Sequence, residues 1–316
     1  MRELIIKEND KDQRLDKFLS KAVPLLPQAL MYKYVRLKRI KVNGKRCEFS
    51  QRLKLGDKLE LYINDEFFDT NEENYFKNAP QDIQIVYEDK NILIVNKPAE
   101  LIVHEDDKEK VDTLINRIKR YLYEKGEFSP EEENSFAPSL CNRIDRNTMG
   151  LVIAAKNAEA LKIICDKIKY REIDKYYLSL CHGRIRPKSA TLTAFLTKDS
   201  DKNLVKISDK KGEKTIKTKY TVLSEKGDVS LVEIKLLTGR THQIRAHMAH
   251  IGHSLLGDTK YGKASENKDY PFKFQALMSY KLEFNFLSDA GSLNYLNGKR
   301  IEVKDISFKR EYFDLL

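Results

Sequence analysis

Asp145 stands between Arg143 and Arg146 in the run Cys141-Asn-Arg-Ile-Asp-Arg-Asn-Thr-Met-Gly150, directly before the apolar stretch Leu151-Val-Ile-Ala-Ala155. A carboxylate at the lip of a strand, flanked by cations, is favoured in its ionised form. It can then serve as a nucleophile or a base towards a polyanion drawn in by the arginines. An Asp in a turn more commonly bonds its own backbone, so this run needs support from elsewhere in the chain. A second segment, Lys175-Tyr-Tyr-Leu-Ser-Leu180, places two adjacent tyrosines on opposite sides of a strand. One of them is left a ring face for a partner. The third segment is Leu237-Thr-Gly-Arg-Thr-His-Gln-Ile-Arg-Ala-His-Met-Ala-His250, followed by Gly257-Asp-Thr-Lys-Tyr-Gly262. Here a strand ends near Gly239 and a helix is expected to open at about Thr241. Arg240, His242 and Arg245 gather around that helix N-terminus, where free amides and the dipole favour anions.

Four histidines fall between positions 242 and 253, at spacings of five, three and three residues. A metalloprotease helix needs an i, i+4 pair with Glu, and no Glu or Cys lies in this stretch. The expectation is no metal. Neither a Walker loop nor a GxGxxG fingerprint occurs, so a nucleotide cofactor is disfavoured as well.

These segments need a scaffold, and hydrophobic periodicity indicates one. Ile83 to Tyr87 and Asn91 to Asn96 read as a hairpin with a polar turn, ended by Lys97-Pro98. Asp112 is expected to cap a helix carrying Leu114, Ile115, Ile118 and Leu122. Another helix, about Glu159 to Lys169, is expected to bury Leu161, Ile164, Cys165 and Ile168. Strands at Tyr176 to Leu180, Lys214 to Glu225 and Val229 to Leu237 follow, the last two joined at Lys226-Gly227-Asp228. Hairpins alternating irregularly with helices imply an α+β fold with a mixed, mainly antiparallel sheet.

Ahead of this unit, the acidic, Asn-rich stretch from residue 65 to 80 reads as a linker that docks through Phe67, Phe68, Tyr75 and Phe76. The expected domains are therefore 1–64, a linker 65–80, and 81–316. In the small domain, Leu15, Phe18, Leu19 and Ala22 mark one helix, and Leu30, Met31, Tyr34, Val35 and Leu37 a second. Val42-Asn43-Gly44 is a tight hairpin turn. Lys33, Arg36, Lys38, Arg39, Lys41, Lys45 and Arg46 follow one another with no acidic residue between them. Such a face suits a phosphate backbone, although a solvated basic surface would look the same.

The 316 residues carry a formal charge of +10, which points to a polyanionic partner, nucleic acid or an anionic membrane. No apolar run is long enough to span a bilayer, and the N-terminus lacks the core of a signal peptide. Four dispersed cysteines without a CxxC pair fit reduced thiols in a cytoplasm.

Residues 14 to 62 resemble the alpha-L RNA-binding motif, named from small-subunit ribosomal protein four, through Arg14-Leu-Asp-Lys-Phe-Leu19 and the Asn43-Gly44 turn. The three segments around Asp145, Tyr177 and Arg245 resemble the signatures of the Rlu-type ribosomal RNA pseudouridine synthases, in the same order. The resemblance covers nearly the whole chain. It implies isomerisation of uridine to pseudouridine in RNA, most readily 23S large-subunit ribosomal RNA, without metal or organic cofactor. By resemblance Asp145 is the catalytic carboxylate, Arg245 its ionic partner, and Tyr177 stacks on the flipped uracil. Arg143 would fill the helix that the uridine leaves. Arg240 and His242 would be phosphate or structural contacts.

Asn142, Met149 and Glu100 depart from the commonest family pattern, which has His, Ser and Gly at these places. Two alternatives share much of this reading. One is a non-catalytic RNA-binding or ribosome-assembly factor on a synthase scaffold; the other is a synthase acting on transfer RNA. A hydrolytic glycosylase would also use a carboxylate and a flipped base, but it would release the base. A monomer is the default expectation.

Overall fold

The computed structural model describes residues 1–68, 74–199 and 204–314. The N-terminal part builds a four-stranded sheet, β1 (Arg2–Ile5), β2 (Ile40–Val42), β3 (Lys45–Arg46) and β4 (Lys58–Leu61), in the order β1-β4-β2-β3. Helices α1 (Leu15–Ala22) and α2 (Gln28–Arg36) cover it. Leu15, Phe18, Leu19, Met31, Ile40, Leu53, Leu59 and Leu61 close one apolar core, as the helical spacing requires. Asn43 and Gly44 both take positive φ, 52° and 72°, the conformation of a tight hairpin turn. Phe67 and Phe68 pack against this core, whereas Phe76 joins a core of the large sheet. Of the expected linker, residues 69–73 lie outside the described residues.

The larger sheet has eleven strands. In chain order they are β5 (Ile85–Glu88), β6 (Ile92–Lys97), β7 (Ser139–Leu140), β8 (Met149–Ala155), β9 (Ile173–His182) and β10 (Ser189–Asp199). Then come β11 (Leu204–Ser208), β12 (Lys214–Lys226), β13 (Val229–Leu236), β14 (Leu277–Phe284) and β15 (Arg300–Glu302). The main path runs β11-β10-β12-β13-β9-β14-β8-β6-β5, with β15 on β14 and β7 on β8. β14 and β8 run parallel; the other pairings described are antiparallel. The mixed, mainly antiparallel α+β class expected from the sequence is the one observed.

The central strands are apolar without alternation because both faces of the sheet are covered. Ile92, Ile94, Leu151 and Ile153 enter one core, with Ala160 and Ile164 of helix α4 (Ala158–Lys169). Leu93, Val95, Val152 and Ala154 enter the other. That second core includes Leu114, Ile118 and Leu122 of α3 (Leu114–Glu124), and Ile244 and Met248 of α5 (Gln243–His250). A fully buried Leu or Ile contributes about 1.5–3 kcal/mol, so these runs fix the register firmly.

Three local expectations are corrected. Thr113, not Asp112, caps α3, its side chain accepting from the Asn116 amide; Asp112 instead binds Arg117. Cys165 is exposed on α4, and Lys167 is buried there in its place, paired with Glu172 at 2.6 Å. Helix α5 opens at Gln243 rather than Thr241.

The turn after β1 meets the loop before β7 through polar groups. Asp10 is fully buried, and its carboxylate accepts from Asn134 at 2.7 Å and Ser135 at 2.6 Å. Asn9 donates to Glu133 and accepts from the Ala158 amide at the start of α4. The loop that takes these contacts runs on into β7 and the Asp145 turn.

Candidate active site

The turn that carries Asp145 is tied down from several sides. Thr148 N donates to Asp145 O at 3.0 Å, closing the turn. Asn142 Oδ1 accepts from the Ile153 amide at 2.8 Å. This Asn therefore has a backbone-binding task. Lys97, fully buried at the end of β6, donates to the carbonyls of Pro98, Leu101 and Arg146 at 2.7, 2.8 and 2.8 Å. An ammonium has three donors, and here two hold the chain just after β6 while the third holds the Arg146 carbonyl next to Asp145. Burial pushes the Lys97 pKa down to about 7, with Asp145 acting in the opposite direction.

Gly150 lies five residues after Asp145, where β8 pairs with β14. Its φ is +113°, and a Cβ there would meet Ser279 O at 2.2 Å. Only glycine permits this approach. Glu100 has φ +70°, where the family pattern has Gly. A left-handed non-glycine residue costs about 1–2 kcal/mol, a physical reason for glycine in the commoner pattern.

Arg245 comes from α5 and is almost fully buried. Its Nη1 lies 3.5 Å from Asp145 Oδ2. The rest of its fork is engaged by Asp258, Nε at 2.7 Å and Nη2 at 2.8 Å. Asp258 is itself fully buried and also accepts from the amides of Lys260 and Tyr261 at 2.9 and 3.1 Å. Burial would raise its carboxyl pKa, but the hydrogen bonds and charge of Arg245 outweigh it and hold it below the usual range. Burial likewise opposes the Arg245 charge, and Asp258 and then Asp145 more than compensate.

His242 takes φ 52° at the start of α5, with Nε2 3.9 Å from Asp145 Oδ2 and Nδ1 2.9 Å from the Tyr261 hydroxyl. Burial lowers its pKa. Gln243 braces this entry, donating to Lys217 O and Thr218 Oγ1 at 3.0 Å and accepting from Thr238 at 2.9 Å. Tyr177 lies on β9, opposite Ile234, and is buried, which pushes its hydroxyl pKa upwards. The phenol is thus neutral at rest, suited to stacking and to donating a hydrogen bond.

Asp145, Tyr177, Arg245, Arg143, Arg240 and His242 all line one cavity of about 300 Å³. Arg143 and Arg240 are exposed at its edge. The seven small-domain cations do not enter it. Six of them are exposed, and Lys41 is half-buried over the Tyr62 ring at 5.2 Å. Lys33, Arg36 and Arg46 border a separate cleft beside Tyr32 and Phe49. Sequence reasoning missed Lys97 and Asp258. Each stands in a stretch that the sequence reading quoted, Lys97-Pro98 and Gly257-Asp258, yet nothing local announces its partner.

Residues 91–250 match the family described as RNA pseudouridylate synthase, and residues 13–59 match the S4 domain. A protein of Mycoplasma capricolum subsp. capricolum, described as an uncharacterized RNA pseudouridine synthase, is 34% identical, covering 95% of this chain and 97% of its own. The chain belongs to the RNA pseudouridylate synthase family. The ribosomal large subunit pseudouridine synthase C of Buchnera aphidicola subsp. Baizongia pistaciae is 32% identical to this synthase over 94% of its chain and 90% of the relative. The structure of human RNA pseudouridylate synthase domain containing 1 superposes with a TM-score of 0.53 at 25% identity. It matches 75% of this synthase and 96% of the human chain. Human RNA pseudouridylate synthase domain containing 4 shares the fold, with a TM-score of 0.55 over 71% of this chain and 89% of its own. RNA is accordingly the partner of the synthase. No helix among the described residues is long and apolar enough to cross a membrane, and none of their His, Cys, Asp and Glu side chains group to hold a metal.

Proposed function

We propose that this synthase converts specific uridines of 23S large-subunit ribosomal RNA to pseudouridine, with Asp145 as the catalytic carboxylate. The observation that carries the reading is the position of Asp145. It lines the cavity with Arg245 Nη1 at 3.5 Å and with Tyr177 beside it. A uridine extruded from its helix would enter the cavity with its ring on Tyr177. Asp145 then attacks the sugar or removes a ribose proton. The C1′–N1 bond breaks, the uracil turns, and a bond forms from C1′ to C5. The C5 proton is lost and N1 gains one, so the mass is unchanged. Arg245 keeps the Asp145 charge in place, and Arg143 fills the gap left in the RNA. Arg240 and His242 hold the flanking backbone and the turn. The chemistry calls for no metal or organic cofactor.

The small domain, residues 1–64, supplies a second RNA contact through Lys33, Arg36, Lys38, Arg39, Lys41, Lys45 and Arg46. No acidic residue is paired with any of the seven among the described residues. Residues 65–80 link it to a catalytic domain, 81–316. We place the protein in the cytoplasm, acting as a monomer. The large-subunit substrate rests on the name of the Buchnera relative. Transfer RNA is the competing substrate, and a ribosome-assembly factor without turnover is the competing role. RNA binding alone gains nothing from a carboxylate facing phosphates, which argues against the latter.

The test is a single-nucleotide map of pseudouridine in ribosomal and transfer RNA from cells lacking the gene, complemented with wild type or Asp145→Ala. Sites in 23S RNA that are lost and restored only by wild type are expected. Sites confined to transfer RNA would move the substrate. An unchanged map would favour the assembly factor.

A further inference from the structure

Lys175 belongs to the tyrosine segment, but none of the roles above uses it. Alternation along β9 sends it to the same side as Tyr177, about 7 Å further along the strand. Both line the cavity that holds Asp145. Its ammonium has no hydrogen-bond or ion-pair partner among the described residues. Gly239 lines the same cavity, and a Cβ built on it would lie 4.0 Å from Lys175 Nζ, so the ammonium sits close beside the Gly239 backbone. A half-buried cation without a protein partner has given up part of its hydration, a cost that a ligand oxygen can offset.

We propose that Lys175 is a uracil-binding cation, donating a hydrogen bond from Nζ to a carbonyl oxygen of the flipped base and stabilising the uracil anion as it leaves the sugar. The inference rests on the pseudouridine synthase reading given above. When the C1′–N1 bond breaks, its electron pair stays with the uracil and spreads from N1 onto O2 and O4. A cation already fixed beside the ring edge lowers the energy of that anion without having to reorganise. The pair returns when C5 bonds to C1′. Lys175 keeps its proton throughout, because the proton lost from C5 is the one that balances N1.

The backbone phosphates are the other anions available, and the placement disfavours them. Arg143 and Arg240 are exposed at the cavity edge, where a hydrated phosphate can meet them. Lys175 is half-buried and lines the cavity together with Tyr177 and Asp145, where an entering base would sit. The charged groups that share the cavity with it are Asp145, Arg143, Arg240, His242 and Arg245, with Arg171 at the approach to β9. Burial and then Arg171 lower the Lys175 pKa to about 8. A catalytic cation with this property imposes an alkaline limit on the rate.

The experiment is single-turnover loss of the target nucleoside, with Lys175→Met and Lys175→Arg, on RNA carrying uridine or 5-fluorouridine at the modified site. Lys175→Met keeps the length and stem of the side chain, and thermal melts establish that each variant is folded. Fluorine makes the leaving anion more stable, so it should stand in part for the missing cation. The expected result is a fall of about 100-fold for Lys175→Met on uridine. A clearly smaller fall is expected on 5-fluorouridine, with RNA affinity within about threefold. The fall in rate above pH 8 should vanish in Lys175→Met and move to higher pH in Lys175→Arg. An unchanged rate, or an equal loss on both RNAs in folded protein, overturns the proposal while leaving the synthase reading intact. Wild type that turns over neither RNA at the mapped site overturns that reading, and the proposal with it.

Discussion

Asp258 binds Arg245 through two hydrogen bonds of 2.7 and 2.8 Å, so the guanidinium that faces Asp145 at 3.5 Å is held from behind by a second, fully buried carboxylate. The geometry divides the labour. Asp258 fixes the fork, and one remaining nitrogen is turned to the cavity. Breaking a buried pair leaves an uncompensated charge and costs about 3–5 kcal/mol. Asp258→Ala should therefore lower the melting temperature by many degrees. Asp258→Asn, which can still accept one of the two bonds, should lose less stability but about 10- to 100-fold in single-turnover rate. A rate equal to wild type in the folded Asn variant would mean that Arg245 is positioned some other way.

Asp145→Asn keeps the shape of the turn and removes the charge. Turnover should be abolished, with RNA affinity within a few-fold of wild type by filter binding. Substantial remaining activity would refute the catalytic assignment.

His247 reports on the packing of α5. It is buried, its Nδ1 lies 3.0 Å from Thr218 Oγ1, and burial followed by His250 pushes its pKa from 6.5 down to about 4. Between pH 6.5 and 4 the unfolded chain takes up a proton that the folded chain refuses. Stability is therefore full above pH 6.5 and falls as the pH drops towards 4, by a total on the order of 3 kcal/mol. Urea titrations at several pH values should show this slope, and His247→Asn should flatten it. An equal slope in the variant would place the acid sensitivity elsewhere.

Arg36, Arg39 and Arg46 are exposed and have no acidic partner among the described residues. Each phosphate neutralised contributes about 0.9 to the slope of log affinity against log salt on duplex RNA, taking the value for B-DNA as a guide. The triple Ala variant should bind more weakly and lose roughly two to three from that slope. A slope that stays the same would mean the small domain does not engage the RNA.

Much of the architecture could be read along the chain because the relevant signal is local. The burial of Leu15, Phe18 and Leu19 follows from helical spacing, and the Asn43-Gly44 turn follows from which residues tolerate positive φ. The apolar runs at Ile92–Val95 and Leu151–Ala155 send side chains into two cores, one on each face of the sheet, which the sequence reading did not draw. The α3 cap was misplaced by one residue because Asp112 and Thr113 are both competent caps. The exposure of Cys165 was missed because a single helical face can be assigned a residue too wide.

By itself the sequence determined the mixed α+β class, the basic small domain and the three segments that supply Asp145, Tyr177 and Arg245. Residue type and spacing are enough for these. The tertiary structure alone decided that Asp258, not Asp145, takes the fork of Arg245, and that Lys97 ties the Pro98 and Leu101 carbonyls to that of Arg146 beside Asp145. It also decided that Asp10, in the turn after β1, joins the loop before β7 through Asn134 and Ser135. The physical reason is that a charged side chain carries no local mark of its partner. Many carboxylates could serve an arginine equally well, and sheet register and helix docking bring one of them within 3 Å. Desolvation then makes that pairing obligatory, because a buried charge without a partner would cost the fold several kcal/mol.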